Sequence, residues 1–295
     1  MSNPASAGPL RQFSDALADL VAEAAPSVVA VHSAHSRSSG FVWRPGLIVT
    51  ADEALADEGD VSVAPPGGEP APASVVGRDP ATDVAVLRID RLEAPAAPLQ
   101  SATPAAGALA LAVGRQHGAP LAAFGAVSFV GAAWRSLRGG EIDARIELDL
   151  SLRRAGEGGL ALDASGRAFG MVAFGPRQRV FVIPAATIER VAAKLATDGR
   201  IARGYLGLGL RPTRLDGADG IGAMVMNVDT NGPGAAAGVR QGDVIVGWNG
   251  QPIRDLRSLL RALGPDSVGS TVALSLRRGG APVEAALSIG ERPQT

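Results

Sequence analysis

The side chains able to do chemistry in this 295-residue chain are unevenly supplied. Cysteine is absent, which excludes disulfide staples, thiolate nucleophiles and cysteine-based zinc sites and leaves the redox compartment open. Of the three histidines, His32 and His35 lie three apart on a strand-like run, so they point to opposite faces and are too few for a metal site. His117 sits in the loop Gly114-Arg-Gln-His-Gly118. Acids gather at Asp52, Glu53, Asp57, Glu58 and Asp60 with no base among them, the pattern of a solvated loop face. Lys+Arg number 28 against 29 Asp+Glu, a formal net charge of -1, so no basic excess exists to bind nucleic acid. Lys194 is the one lysine; every other basic residue is arginine.

These groups need elements to position them. The length suits two domains at roughly 100–200 residues each, and 46% hydrophobic with 19% charged residues argues against disorder of the whole. Residues 1–10 are small, polar and proline-containing, and are expected to be disordered. Phe13, Leu17, Leu20, Val21 and Ala24 then fall at helical spacing until Pro26. Short β-like runs follow at 28–32, 47–50, 83–89, 108–113, 126–130, 145–150, 168–174 and 180–183, separated by Gly, Pro and Asp. That texture predicts an all-β barrel or sandwich. A helix is expected over 185–198, ended by Gly199.

A second unit begins after 203. Strands are expected at 205–210, 222–228, 243–248, 271–277 and 283–289, with a short helix at 233–238. Leu256, Leu259, Leu260 and Leu263 form the apolar stripe of an amphipathic helix. No run approaches the ~18 apolar residues of a membrane span. The first ten residues lack the basic start and apolar segment of a secretory signal, so a cytoplasmic location is expected, and a periplasmic one only if a leader was trimmed.

Several motifs carry a resemblance. Gly40-Phe-Val with Gly46-Leu-Ile-Val-Thr50, and Gly77-Arg-Asp-Pro-Ala-Thr-Asp83-Val-Ala-Val-Leu87, resemble the opening strands and the aspartate segment of the trypsin-like HtrA/DegP serine proteases. Ala112-Val-Gly114, Gly125-Ala-Val-Ser128, Gly158-Gly159, Ser165-Gly166 and Phe169-Gly170-Met171 resemble later segments of the same domain. Gly204-Tyr-Leu-Gly-Leu208, Ala235-Ala-Ala-Gly-Val239 and Gln241-Gly-Asp-Val-Ile245 resemble its PDZ domain. The resemblance runs from about Phe13 to Ile289. It implies a mainly β protein, a trypsin-like double β-barrel at 11–198, a linker at 199–203, an α+β PDZ domain at 204–290 and a tail at 291–295.

The family mechanism needs a serine nucleophile, a histidine base and an aspartate that orients the histidine. The segment matching the histidine is Thr50-Ala-Asp-Glu53, which puts Glu53 at the base position. Asp83 matches the aspartate. The nucleophile segment is matched by Ala155-Gly-Glu157-Gly-Gly159, which puts Glu157 in place of serine. Arg153-Arg154 stands where the family has Asn-Pro, and Leu160 where it has proline. The resemblance therefore implies a pseudoprotease.

If the fold is kept, Glu53, Asp83 and Glu157 converge, either neutralised by Arg153, Arg154 or water, or repelling so that one keeps its proton or a cation binds. A carboxylate-based or metal-assisted hydrolase is thus an alternative, and a structural subunit of a larger complex is another. His117 and Ser151 are weak substitutes for base and nucleophile.

The PDZ resemblance implies a peptide added as a strand beside 205–210, with the Tyr205-Leu206-Gly207-Leu208 turn holding a C-terminal carboxylate. Leu256, Leu259 and Leu260 are candidates to line the side-chain pocket with Leu206 and Leu208, favouring apolar C-termini. The partner is a protein or peptide, with no cofactor, metal or nucleic acid called for. Relatives commonly form trimers through N-terminal aromatics, for which Phe13 alone is a thin basis.

Overall fold

Branched side chains pack well on a pleated surface, and the runs Val28-Val-Ala-Val31 and Val84-Ala-Val-Leu87 are buried to within 2% exposure. The computed structural model describes residues 8–34, 36–57, 59–136, 138–215, 220–253 and 255–293. His35, Glu58 and most of the expected disordered start lie outside the described residues. The chain divides into two compact units, Met1–Arg200 and Ile201–Thr295.

The first unit opens with α1 (Pro9–Ala24), whose first turn begins on a proline. Pro9 and Leu10, expected to be disordered, are therefore helical. Phe13 meets Phe124 edge-on, with centroids 6.2 Å apart. The first barrel is built from β1 (Val28–Ser33), β2 (Ser36–Arg44), β3 (Leu47–Thr50), β4 (Val61–Ala64), β5 (Ala71–Asp79) and β6 (Val84–Arg88). Its order β1-β2-β3-β6-β5-β4 closes through antiparallel pairing of β1 with β4. Val29, Val31, Val42, Ile48, Val63 and Leu87 fill its interior.

The second barrel uses β7 (Leu109–Gln116) and β8 (Ala119–Gly131). A small ribbon of β9 (Trp134–Arg135) and β10 (Glu141–Ile142) interrupts it. Then come β11 (Arg145–Asp149), β12 (Leu160–Asp163), β13 (Ala168–Phe174) and β14 (Val180–Pro184). The order β11-β14-β13-β12-β7-β8 closes through β8 and β11. Ala110 and Ala112, Ile146 and Leu148, and Val180 and Val182 point inward two residues apart, as strand alternation requires. Closure leaves neither barrel with a full-length free edge.

A helix, α2 (Ala185–Asp198), buries Ile188, Val191, Ala192 and Leu195, and ends with Gly199 in the left-handed region at φ 73°. Close approach explains Gly77, where a Cβ would collide with the Gly199 carbonyl. Sequence patterning missed β4 and β5. β4 has four residues, Pro65, Gly67 and Gly68 separate it from β5, and the nine-residue β5 itself contains Pro72.

The second unit has β15 (Gly204–Tyr205), β16 (Leu208–Arg214), β17 (Ile221–Val228), α3 (Pro233–Ala236), β18 (Val244–Trp248), β19 (Gln251–Pro252), α4 (Leu256–Arg261), β20 (Thr271–Arg278), β21 (Ala281–Ser288) and β22 (Gly290–Glu291). The sheet runs β16-β17-β18-β20-β21, with β19 beside β18. Gly290 and Glu291 pair with Tyr205 and Gly204, so the sequence-based tail at 291–295 begins one residue inside a strand. Leu206, Val225, Ile245, Leu259, Leu274 and Leu287 anchor the core.

One buried cation ties the first unit together. Arg115 on β7 is 3% exposed. Its guanidinium donates to the carbonyls of Val28 at 2.6 Å, Gly118 at 2.7 Å and Ala25 at 2.6 Å. Burial lowers its pKa, yet arginine stays charged, and the three carbonyls satisfy it. Arg115→Ala leaves those acceptors unpaired and should lower unfolding stability by about 3 kcal/mol in urea titrations. Arg115→Lys, lacking the planar fork, should recover only part of that loss.

Candidate functional site

The candidate site sits where β2, β3, the 80–83 turn and the 153–159 loop meet. Asp83 ends the turn before β6 with φ 58°, a left-handed conformation that aspartate tolerates. Its Oδ1 accepts the Glu53 N–H at 2.8 Å. Loss of solvent raises the Asp83 carboxyl to about 8; the Glu53 N–H opposes this, and the charges of Glu53, Glu157 and Asp52 add to it. The sequence-predicted trio is thus brought within electrostatic reach. Among the described residues, however, no three acidic or histidine side chains are arranged to hold a metal ion.

Glu53 and Glu157 differ sharply. The Glu53 side chain is 55% exposed and lies 3.9 Å from Arg138. Glu157 is only 5% exposed. Burial raises its pKa, while the Phe174 N–H donating to its carboxylate and the Arg154 charge partly offset that rise. The acidic run is not uniformly solvated: Asp52 is 3% exposed and accepts from Arg78 Nε at 2.5 Å. Arg78 also donates to the carbonyls of Ala56, Asp52 and Leu55. It was missed because it lies 26 residues downstream of Asp52 on β5.

The loop's backbone donors are committed. Gly156 N–H bonds Arg153 O, Glu157 N–H bonds Arg154 O, Gly158 N–H bonds Val172 O and Gly159 N–H bonds Gly156 O. Ser39 on β2 anchors the loop: its N–H donates to Glu157 O at 2.8 Å, and its hydroxyl donates to Ala155 O at 2.6 Å. The same hydroxyl accepts from Arg115 N–H, and the Ser39 carbonyl accepts from Thr50. Gly158, at φ 82°, passes so close that a Cβ would strike the Ser39 carbonyl. His117 occupies the β7–β8 hairpin turn at φ 49°, where its charge contributes to lowering the His32 pKa behind burial and Arg37. Ser151 is exposed just beyond β11.

In the second unit, β16 heads the sheet, pairing with β17 on one side and packing near α4. Gly207, at φ 68°, turns the chain into β16; its carbonyl accepts from Asp229 N–H, and that of Leu206 accepts from Gly234 N–H. The Tyr205 hydroxyl donates to Asp229 at 3.0 Å. Leu206 and Leu259 are core residues at 3% and 1% exposure, which departs from their expected place as pocket lining. Leu208 and Leu256 are half-buried against that core, and Leu260 is 47% exposed. Leu210, two residues along β16 from Leu208, joins the packed face and was not singled out from the sequence.

A trypsin-like peptidase domain model matches residues 38–171, and a PDZ domain model matches 204–289. A "probable periplasmic serine endoprotease DegP-like" of Rhizobium meliloti (strain 1021) is 30% identical over 270 residues, 87% of this chain and 53% of the relative. One from Chlamydia trachomatis serovar D is 30% identical over 272 residues, 87% of this chain and 54% of the relative. The chain thus spans about half the length of these curated relatives. The structure of a serine endoprotease from Yersinia pestis superposes with a TM-score of 0.72 at 28% identity, covering 94% of this chain and 98% of that one. The HtrA-type protease AlgW with a decapeptide gives 0.73 at 25% identity, covering 94% and 99%.

The periplasmic names of these relatives overturn the cytoplasmic location expected from the first residues. No helix among the described residues is long and apolar enough to cross a membrane. Two closed barrels matching a trypsin-like peptidase, then a PDZ domain, with DegP-like relatives along 87% of its length, place the chain in the HtrA-like family.

Proposed function

We propose that this chain is a peptide-binding HtrA-like protein whose hydrolytic centre is silent, acting as a scaffold, adaptor, chaperone-like holder or regulator. The observation that carries the reading is Glu157: a buried carboxylate, held by a backbone N–H, stands at the position matched to the nucleophile. Acyl transfer needs a nucleophile, a base and free donors aimed at the developing oxyanion. Carboxylates occupy the first two positions, and the donors of residues 156–159 are bonded within the protein.

Peptide capture is assigned to the second unit. An extended C-terminus would pair along β16, with apolar side chains meeting Leu208, Leu256 and Leu260. The relatives' names support action in the periplasm.

A carboxylate-based hydrolase is the second reading, favoured by one observation. A carboxyl that keeps its proton to about 8, as Asp83 does beside exposed Glu53, is the kind of pair that general acid–base chemistry uses.

The chain should leave β-casein intact over hours, as followed by gel electrophoresis; cleavage that vanishes in Glu157→Gln would overturn the silent-centre reading in favour of the hydrolase. The double variant Glu53→His with Glu157→Ser should remain inactive on casein, because its loop donors are still committed. Leu208→Glu should abolish recovery of partners in a pull-down; unchanged recovery would instead indicate a structural subunit that binds through the barrels.

Asp83 has a separate signature. Its folded pKa lies above the ordinary value of 3.8, so the folded state holds a proton that the unfolded chain has released. Stability from this group is full below pH 3.8 and is lost as pH rises towards about 8. Asp83→Asn, which retains an acceptor for Glu53 N–H, should flatten that decline and raise the melting temperature near pH 8. Thermal melts of both proteins from pH 4 to pH 9 would show it.

A further inference from the structure

Among the described residues, β16 is an edge strand of the second unit's sheet, with β17 on one side. The pairing of β17 decides which of its backbone groups face the open side. Val225 donates its N–H to Asp243 O, and its carbonyl accepts the Gly242 N–H, so both of its groups point away from β16. Backbone groups alternate sides along a strand, so those of Met224 and Gly222 point towards β16. These two stand opposite Arg211 and Thr213, which are thereby turned to β17. The register shift at Gly209/Leu210 leaves Met226 of β17 without an opposite, so the alternation along β16 is unbroken. Leu208, Leu210, Pro212 and Arg214 therefore turn their backbone to the open edge. Leu208 and Leu210 each offer it an N–H and a carbonyl, whereas Pro212 offers a carbonyl alone. The side chains change at the same point: Leu208 and Leu210 pack against the core, and Pro212 is exposed.

We propose that Pro212 sets the length of the ligand, limiting the β16 groove to the last four residues of a bound chain. This role rests on the peptide-binding reading of β16 and defines which part of a peptide it recognises. With the ligand's carboxylate at the Gly207 turn, where β16 begins, the ligand runs antiparallel to β16. Its last residue then lies opposite Leu208, and its third from last forms a two-bond pair with Leu210. The fifth from last meets Pro212, where its carbonyl finds no donor and a pyrrolidine ring fills the place of the N–H. An unpaired carbonyl is better served by water, so the ligand leaves the sheet there. The partner class is a protein with a short free C-terminal tail, not one with a long strand to lend.

The test uses the full chain and N-acetylated synthetic peptides with free carboxylates. An array of octapeptides ending in apolar residues supplies the tightest binder, which is then shortened from its N-terminus and followed by isothermal titration calorimetry. The eight-, six- and four-residue forms should bind alike. The two-residue form, which loses the partner of Leu210, should bind at least about tenfold more weakly. Pro212→Thr restores an N–H at an exposed strand position. It should bind the eight-residue form about fivefold tighter than the four-residue form, the worth of one backbone hydrogen bond. If that variant does not fold, Pro212→Ala takes its place. Affinity that climbs from four to eight residues in the parent overturns the proposal, as does a Pro212→Thr variant blind to length. An array with no binder at all overturns the peptide-binding reading itself, and this proposal with it.

Discussion

The first unit depends on a single fully buried serine. Ser39 sits at 0% exposure, and its N–H, hydroxyl and carbonyl are all engaged. Through them β2 is bonded to β3, to β7 of the other barrel and to the loop around residue 157. Buried polar groups are costly when unpaired, so the satisfied state of this residue fixes the seam between barrels and the loop in one step. The glycine pair at 158 and 159 follows from the same constraint, because the loop must lie against β2 and β7 with no room for a Cβ.

That seam is independent of the acids beside it. None of the bonds holding the loop uses the side chain at 53 or 157. The Glu157 carboxyl group takes no part in the Ser39 bonds, and the Phe174 backbone opposes the rise that burial gives its pKa. The Asp83 carboxyl is cut off from solvent and accepts the Glu53 N–H. The fold thus tolerates the acids by keeping one exposed, pairing one with Arg78, holding one through a backbone donor and leaving one to retain its proton.

What the sequence revealed follows the range of each interaction. The Asp83 segment, the Gly158-Gly159 pair, the α2 stop at Gly199 and the turn at Gly207 were legible because each depends on a few neighbouring residues. Arg78 with Asp52, Arg115 with Ala25 and Val28, and Phe174 with Glu157 were not. Each joins positions that only barrel closure brings together. The leucine stripe at 256–263 shows an intermediate case. Periodicity found the helix, but tertiary packing sent Leu259 inward and left Leu260 facing out.

The near-exclusive use of arginine gives the molecule a one-sided titration. With Lys194 the only ammonium side chain, almost all of its positive charge is fixed across every pH at which the fold survives. Changes in net charge must then come from the carboxyls and the few imidazoles. Acidification adjusts this protein by erasing negative charge against a constant cationic background, so the groups that respond first are the acids with the highest proton affinity. Burial raises the proton affinity of two of these acids, Asp83 and Glu157.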